Sequence, residues 1–509
     1  MANFIDRAID FVAPQLGAAR ASARAVTAGL TAATALYDGA ARSWRTSGRN
    51  VGPTSANVEI LHSLARLRNV SRDLRRNNAT ADNAIRVIST HVVGAGILPT
   101  IEAPTKRLKK QLQGLVKSHL ETVAIDIDGR QNFYGLQNLI VQSVVEAGEA
   151  LVVRYMPSPE LRLKVPLQVR VLEPEYLDTS KQGPTADGGA MFAGIEVDRH
   201  GRRVAYWLYD AHPGGGITWQ LPRSSRVSAA NVIHVYRQDR PGQMRGVPWC
   251  APIIVTMNDL ADYEDADLVR QKIAACFAVF LEGAAPERNL SQQANGQTTP
   301  HGSIIDKLEP GLIQRLPTGV KANMATPPAV QGQADFISIK NHKIAAGYGI
   351  PYEMLTTNLR EVSFISGRLG LMQYHRNVDQ WRWQMLIPHA CVGIGQWFLE
   401  AAAIALQTDT AGCAIKHTPP RREMIDPSSE VPAMRDAIRS GLTSRDNEVR
   451  SLGDDPEVID NEIAEGNARA DKLKLGLDSD GRRPLAFKLD TIDPEAKPHA
   501  GRSEKPATE

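Results

Sequence analysis

The sequence predicts an α+β fold in which a largely antiparallel sheet is accompanied by long helices. Residues 132–250 alternate helix and strand signals, and two strand signals flank Asp198-Arg-His-Gly201, a sequence typical of a hairpin turn. Residues 253–277 carry a helical pattern that would span roughly 38 Å. With 509 residues, 42% of them apolar, the chain can bury a large core.

The N-terminal residues 1–55 are predicted to form an arm. The segment is rich in alanine, but Arg20, Arg24 and Asp38 interrupt its apolar runs, which favours an amphipathic arm over a membrane span. A signal peptide is the alternative. Residues 58–88 are predicted to form an arginine-rich helix, and residues 92–99 a strand or a tight turn.

Positive charge is concentrated near the N-terminus. Residues 1–120 carry a net charge of +10 and the remaining residues −7, against +3 for the whole chain. A basic region of this kind could contact nucleic acid or an acidic partner surface. A solvated helical surface is the plainer interpretation.

The sheet region carries one helix pattern and five strand patterns. A helical pattern covers residues 136–146. Strand patterns cover residues 150–155, 167–172, 195–197, 204–209 and 232–236.

Residues 253–332 are predicted to leave the sheet region and return. Ile253, Met257, Leu260 and Leu268 approximate one stripe of the helix at 253–277. A strand-like run follows at 277–281, and the sequence is then rich in turn residues. Residues 278–332 are therefore expected to be a small excursion between two helices.

Residues 347–368 are predicted to form a hinge between two helices. Phe336, Ile339 and Ile344 recur at helical spacing before it. The glycines at 347 and 349 and Pro351 end that helix, because glycine frees the backbone and proline lacks an amide donor.

A new helix is predicted to begin after the hinge loop. Ser363 can accept hydrogen bonds from the first free amides of this helix. We expect Phe364, Leu369, Met372 and Val378 to face inward.

The remaining chain is predicted to be helical up to a disordered tail. Residues 363–406 are helical with a break at Pro388, and Pro388, His389 and Gln396 favour a buried helix pair over a membrane span. The tryptophans at 381, 383 and 397 are expected to pack in the core rather than to stack on bases. Residues 430–476 carry further helices with turns at the glycines 441 and 453, and the last 34 residues hold four prolines and many charges.

Several common signatures of enzymes and ion-binding sites are absent from the sequence. It has no Gly-x-x-x-x-Gly-Lys-Ser/Thr motif and no Gly-Lys pair, so we do not expect ATP hydrolysis by the P-loop mechanism. His-Glu-x-x-His, Gly-x-Ser-x-Gly and EF-hand spacings are also absent.

Four cysteines lie far apart, which favours reduced thiols over a zinc site or a disulfide framework. We expect no catalytic residue, no metal and no cofactor.

Several ordered segments between residues 75 and 477 resemble one known family. They are Asn83-Ala-Ile85, Val93-Gly-Ala-Gly-Ile-Leu-Pro99, Asn132-Phe-Tyr-Gly-Leu-Gln137, Glu146-Ala-Gly-Glu149, Leu172-Glu-Pro174, Val232-Ile-His-Val235, Arg240-Pro-Gly-Gln-Met-Arg-Gly-Val-Pro-Trp249, the hinge and Ile425-Asp-Pro427. In this order they resemble the portal proteins of tailed bacteriophages, the lambda-like family. Where that family's hinge usually has a Tyr-Ser-Ser-like run before arginine, this chain has Phe364-Ile-Ser-Gly-Arg368.

The resemblance implies a portal-type fold with a mixed α/β wing, long stem helices, a small clip, a tunnel loop and a helical crown. The expected parts are an arm at 1–55, wing at 56–252, stem helix at 253–277, clip at 278–332, second stem helix at 333–349, tunnel loop at 350–362, connecting helices at 363–429, crown at 430–477 and tail at 478–509.

The resemblance also implies a function. Portal proteins of this kind form a ring, expected here to be a dodecamer, at one capsid vertex of the virion, through which double-stranded DNA is packaged, retained and ejected. The implied partners are the DNA, the major capsid protein, the terminase large subunit and a head–tail connector, with assembly in the host cytoplasm and no membrane. A ring is also physically reasonable, because helices repeated around an axis can enclose a duplex.

Two groups of residues are the expected channel sites. The loop group is Thr356, Thr357, Asn358, Leu359, Arg360 and Glu361. The second group is Asp259, Asp262 and Asp265, from an acidic tract that also contains Glu264 and Asp267. In a channel, carboxylates would repel phosphates and keep a duplex from sticking as it slides.

Other interpretations of these residues stay open. The acidic tract could be a solvated or ion-paired face, or the centre of a metal-dependent nuclease or hydrolase if the carboxylates converged on an ion. A third class is a membrane-associated or nucleic-acid-binding module that acts through the N-terminal arginines.

Overall fold

The computed structural model describes residues 52–215, 223–275, 279–282, 321–324, 332–360, 362–420, 424, 426–475 and 482. The chain divides into two compact units, residues 1–59 and 60–509. Only residues 52–59 of the first unit are described, and they include the start of the first helix. Most of the predicted arm, clip and tail therefore lies outside the described residues.

The described residues form both helices and strands. The helices are α1 (Ala56–Asn77), α2 (Ala79–Val93), α3 (Lys106–Leu115), α4 (Phe133–Ala147), α5 (Ile254–Ala275), α6 (Gln333–Tyr348), α7 (Tyr352–Thr356), α8 (Phe364–Trp381), α9 (Val392–Leu406), α10 (Pro427–Arg439), α11 (Arg445–Ser451) and α12 (Pro456–Leu473). The strands are β1 (Leu98–Glu102), β2 (Glu149–Tyr155), β3 (Gln168–Leu172), β4 (Gly183–Pro184), β5 (Ala190–Phe192), β6 (Ile195–Val197), β7 (Arg203–Tyr209), β8 (Ser224–Ser228), β9 (Val232–Tyr236), β10 (Val279–Glu282), β11 (Lys321–Met324) and β12 (Ala414–Thr418). The predicted α+β class is confirmed.

Strands of the sheet region pair in antiparallel fashion, as predicted. One sheet has the order β3-β2-β9 and another the order β4-β5-β6-β7-β8. Strand β2 separates two cores, because successive side chains of a strand point to opposite faces. Ala150 and Val152 join the large core, whereas Leu151 and Val153 join a smaller core with residues of β7.

Two shorter pairings connect distant parts of the chain. Strand β1 pairs with β12, which joins the segment after α2 to the segment after α9. Strand β10 pairs with β11 and closes the predicted excursion after α5. The chain between β10 and β11 lies outside the described residues.

The continuous helix predicted at 58–88 is wrong, because the chain breaks at Asn78. This residue has an extended backbone with φ −122°, and its side-chain oxygen accepts hydrogen bonds from the amides of Thr80 and Ala81. Asparagine is favoured as an N-cap because it satisfies amides that have no partner in the first turn. Helix α2 therefore starts anew after α1.

The break predicted at Pro388 is also wrong. The chain stays helical from α8 to α9 through a π-helical segment, Arg382–Cys391. The wider turn of a π-helix accommodates a residue that lacks the amide hydrogen. The guanidinium of Arg382 donates hydrogen bonds to the carbonyl oxygens of Val92, at 2.7 Å, and His91, at 2.7 Å, which ties this segment to α2.

The helical stretch Phe364–Leu406 is long and apolar enough to cross a membrane by length and composition alone. Leu386, Phe398 and Ala402 within it are fully buried in the large core, in agreement with the predicted buried helix pair. Trp381 and Trp397 are buried as predicted, but Trp383 is 55% exposed and the prediction for it is wrong.

The C-terminal helices begin and end near the predicted turns. Helix α10 ends before Gly441, α11 ends before Gly453, and α12 follows. Ser444 accepts a hydrogen bond from the amide of Asn447 at 3.1 Å, so it is the N-cap of α11. The helical signals of residues 430–476 are thus confirmed.

Candidate functional site

Helices α5 and α6 pack against each other beside the predicted channel loop. The rings of Tyr263 and Phe336 lie 4.6 Å apart, and Gln333 donates a hydrogen bond to Asp267. At the other end of the pair, a Cβ atom at Gly347 would lie 2.2 Å from a methyl carbon of Ile253. The glycine is therefore required for the close approach of the two helices.

The acidic tract of α5 divides between two faces of the helix. Asp259, Asp262 and Asp265 are exposed and lie on the side away from the buried Leu260. Asp267 is buried and accepts hydrogen bonds from Arg270, at 3.0 Å, and from Gln333 of α6. The carboxylates do not converge on one point.

The apolar stripe predicted on α5 is partly correct. Ile253, Met257 and Leu260 are buried as predicted. Leu268 is 49% exposed, so its place in that stripe is wrong. Val255 and Val269, which the prediction did not include, are 70% and 53% exposed on the same side as the three aspartates.

Among the described residues, the group that could hold a metal ion is Glu173, Glu175 and His212. Arg72 forms ion pairs of 2.7 Å with Glu175 and 3.3 Å with Glu173. The His212 ring nitrogen lies 3.1 Å from the Glu173 carboxylate. These contacts make the group an ion-pair network, and it lies outside the acidic tract.

The loop predicted at 350–362 is partly helical. Helix α6 ends at Gly349, whose φ of 76° is left-handed, and the amide of Ile350 bonds to the carbonyl oxygen of Ala345 at 3.1 Å. Pro351 then precedes α7, because its fixed φ suits the start of a helix. The region predicted as a loop therefore includes a short helix.

Three contacts hold the base of this loop. The side-chain amide of Asn83 donates to the carbonyl oxygens of Met354, at 2.9 Å, and Leu355, at 2.8 Å. The side-chain amide of Asn377 donates to the carbonyl oxygen of Gly349 at 3.0 Å. The rings of His342 and Tyr352 stack with centroids 4.0 Å apart. Asn83 belongs to a segment that carries the family resemblance, but local sequence patterns do not indicate its contact with a carbonyl group 271 residues away.

The loop tip, residues 357–360, is exposed. Thr357 has a left-handed backbone with φ 57°, and the Asn358 side chain accepts a hydrogen bond from the amide of Arg360 at 3.2 Å. Leu359 is 70% exposed. Thr356 is half-buried and donates to the carbonyl oxygen of Tyr352 at 2.9 Å, so it belongs to the base. The predicted residue Glu361 lies outside the described residues.

Helix α8 starts where predicted, but the side of the helix that faces the core is not the predicted one. The hydroxyl of Ser363 accepts a hydrogen bond from the amide of Ser366 at 3.2 Å and forms a capping box with it. Val378 is buried, as predicted, but Phe364, Leu369 and Met372 are 63%, 66% and 53% exposed. The inward prediction for these three is wrong, because another stripe of the helix, with Tyr374, Val378 and Trp381, packs on the core.

Several segments that carry the family resemblance meet at Glu149, which is fully buried. Its carboxylate accepts hydrogen bonds from Arg245 Nε at 2.8 Å, from the Gly246 amide at 2.7 Å, and from Arg68. Nε2 of His234 lies 2.9 Å from the same carboxylate. The segments 146–149, 232–235 and 240–249 therefore converge on one buried acid.

This convergence fixes the arrangement of segments in the sheet region. The two buried arginines hold the pKa of Glu149 well below its ordinary value despite its burial, which acts in the opposite direction. Burial lowers the pKa of His234 to about 4. A Cβ atom at Gly246 would lie 2.1 Å from the carbonyl oxygen of Gly148, so the glycine at 246 allows the segment before α5 to approach the end of α4.

Comparison with known proteins gives consistent results. The family model for "Phage portal protein, lambda family" matches residues 42–382. The "Probable portal protein" of Halomonas phage phiHAP-1 is 24% identical over 425 residues, which is 80% of this chain and 81% of that protein. "Portal protein B" of Escherichia phage lambda is 24% identical over 365 residues, or 65% of this chain and 67% of that protein.

A solved structure titled "Neck of native GTA particle computed with C12 symmetry" contains a chain that is 12% identical, with a TM-score of 0.44. The match covers 80% of this chain and 97% of that one. The family model spans most of the chain, including the sheet region, both packed helices and the loop. The chain therefore belongs to the lambda family of phage portal proteins.

Proposed function

We propose that this chain forms a ring-shaped channel at one capsid vertex, through which double-stranded DNA is packaged, retained and ejected. The observation that carries the proposal is the match to the lambda-family portal model over residues 42–382. The loop within that region has the form the proposal needs, with a fixed base and an exposed tip.

The loop tip is the proposed DNA contact. Arg360 offers a cation to the phosphates, and Thr357 and Asn358 offer polar groups. Phosphate contacts carry no direct sequence information, which suits a channel that must pass a whole genome. Glu361 is proposed as part of the same loop on the basis of the sequence alone.

The fixed base gives the tip a mechanical role. Asn83 and Asn377 attach α7 and Gly349 to α2 and α8, so the tip projects from packed helices. In a ring, each copy would present one such tip to the DNA. Contact would be weak for each copy and repeated around the axis, because a duplex must slide past it.

The remaining assignments are also proposals. We propose that α5 and α6 form the stem, that the excursion from β10 to β11 belongs to the clip, and that α10 to α12 form the crown. The proposed assembly is a dodecamer in the virion, formed in the host cytoplasm. Its proposed partners are the major capsid protein, the terminase large subunit and a head–tail connector at the clip.

A structural role agrees with the family, and the nuclease alternative has no support among the described residues. Asp259, Asp262 and Asp265 lie along one helix without converging, and Asp267 is satisfied by Arg270 and Gln333. We expect that a chelator changes neither assembly nor DNA integrity. Chelator-sensitive DNA cleavage that is lost in Asp262→Ala would contradict a purely structural role.

The first test is the mass of the purified protein by native mass spectrometry, with negative-stain images of the same sample. We expect a closed ring with a central hole. The second test is Arg360→Ala in a DNA packaging and retention assay, with the exposed hairpin variant Arg199→Ala as control. Unchanged packaging and retention in Arg360→Ala would contradict the loop contact while leaving the ring untouched.

A further inference from the structure

Helix α8 carries an apolar stripe that is largely exposed among the described residues. Ile365, Leu369 and Met372 are 79%, 66% and 53% exposed, and at 3.6 residues per turn they lie within about 60° of one another. The core stripe of Tyr374, Val378 and Trp381 lies on the opposite side of the helix. Exposed apolar stripes of this size mark an interaction surface.

Two arginines belong to the same surface. Arg376 lies within the stripe, about one turn after Met372, and Arg368 lies beside the stripe, about 12 Å from Arg376 along the helix axis. Arg368 is 42% exposed, and its 3.5 Å ion pair with Glu430 leaves its charge accessible to solvent. We call the stripe and its two arginines the α8 face.

Helix α5 carries a surface of the complementary character. Val255 and Val269 are 70% and 53% exposed, and Asp262 lies between them on the same side. Asp259 and Asp265 flank this line. We call these five residues the α5 face. Its two ends are apolar and the stretch between them carries three carboxylates, and the side of α5 that packs on α6 is the opposite one.

We propose that the α8 face of one copy of this chain packs on the α5 face of the next copy. A head-to-tail ring needs two different, mutually complementary surfaces on each subunit. The apolar–basic α8 face and the apolar–acidic α5 face meet that need, and they extend about 17 Å and about 21 Å along their helices. The proposal rests on the ring of the proposed function and names the surfaces that build it.

In this contact the α5 carboxylates pair with a neighbouring subunit rather than line the channel. Arginine–carboxylate pairs across a contact fix its register and exclude other partners. The contact also adjoins the loop tip, because α8 begins four residues after Arg360. Assembly would therefore set the direction in which each tip projects.

The test compares the assembly of full-length variants by native mass spectrometry across a concentration series. Leu369→Ser should raise the concentration needed for half-assembly at least about tenfold, because the contact loses a buried leucine. Leu442→Ser is the matched control, since Leu442 is 82% exposed and outside both faces. Far-UV circular dichroism confirms that each variant is folded.

A charge exchange tests the pairing of the two faces. Arg376→Glu and Asp262→Arg should each weaken assembly, and the double variant should recover part of the loss. Weakening by Leu369→Ser without recovery in the double variant would overturn α5 as the counterpart. Normal rings for Asp262→Arg together with altered DNA packaging would place the acids in the channel and overturn the proposal.

These experiments distinguish a failure of the two proposed faces from a failure of the proposed ring. Rings that persist unchanged in Leu369→Ser and Arg376→Glu contradict the two faces but leave the portal function intact. A wild-type chain that stays monomeric at every concentration contradicts the ring itself, and the two faces with it.

Discussion

Glu149 shows how one residue organises the sheet region. It is fully buried, yet it has charged partners from α1 and from the segment before α5, and a histidine from β9. A buried ion cluster is costly to form, but removing one member leaves the other charges without compensation. We therefore treat this cluster as a device that fixes the arrangement of these segments.

The first prediction concerns this residue. Glu149→Gln should lower the free energy of unfolding by about 3–5 kcal/mol, because Arg68 and Arg245 would keep their buried charges without a carboxylate. Urea denaturation measures the change. Glu400→Gln, which removes a half-exposed ion pair with Arg154, is the control and should cost less than about 1 kcal/mol. Equal effects of the two changes would show that the cluster is not the anchor.

Two buried histidines predict a pH dependence of stability. Burial lowers the pKa of His234 and of His417 from 6.5 to about 4. Below pH 6.5 the unfolded chain binds protons at these rings, whereas the folded chain does so only near pH 4. Stability should therefore fall as the pH drops through this window.

The variant His417→Gln tests that prediction. It should reduce the slope of the unfolding free energy against pH by up to about 1.4 kcal/mol per pH unit between pH 6.5 and 4. Urea titrations at several pH values measure the slope. A slope identical to that of the unchanged chain would mean that His417 is protonated in the folded state.

At the scale of elements, the loop depends on its base. Asn83→Ala should remove both hydrogen bonds to the α7 carbonyl groups and raise amide hydrogen exchange over residues 352–360. We expect a loss of about 1–2 kcal/mol of stability. Asn358→Ala, at the exposed tip, is the control and should leave exchange in α7 unchanged. Equal protection in both variants would contradict the role of Asn83.

Helix packing gives another prediction. Gly347→Val should destabilise the chain by about 1–3 kcal/mol, because the added atoms collide with Ile253 where α5 and α6 cross. Gly370→Ala in α8 is the matched control. A Cβ atom at Gly370 meets nothing within 4 Å, so this change should stabilise the helix by about 0.5–1 kcal/mol. Thermal unfolding of both variants measures the difference.

At the scale of the whole molecule, function requires assembly. Each chain presents one exposed loop tip, and a single weak contact cannot retain a duplex. We predict that assembled rings associate with linear DNA and that this association weakens steeply with salt. The assembly-deficient Leu369→Ser variant should not bind at the same subunit concentration. Equal binding by rings and monomers would favour a simple nucleic-acid-binding module.

Local structure and family membership follow from the sequence alone. The caps at Ser363 and Gly349 lie where their residue types satisfy backbone groups, and such signals act within a few residues. The hairpin around Asp198 and the strands of the sheet region follow from alternation and turn residues. The ordered segments identified the portal family, because each reflects a constraint of the shared fold.

Which sides of the helices are buried depends on the tertiary structure. Helix α8 has apolar residues on two sides, and periodicity cannot say which side meets the core, so Leu369 and Met372 were placed wrongly. The passage of the helix through Pro388 and the attachment of α7 by Asn83 both depend on partners far away in sequence. The physical reason is the same in each case, since burial depends on the surfaces that the rest of the chain brings into contact.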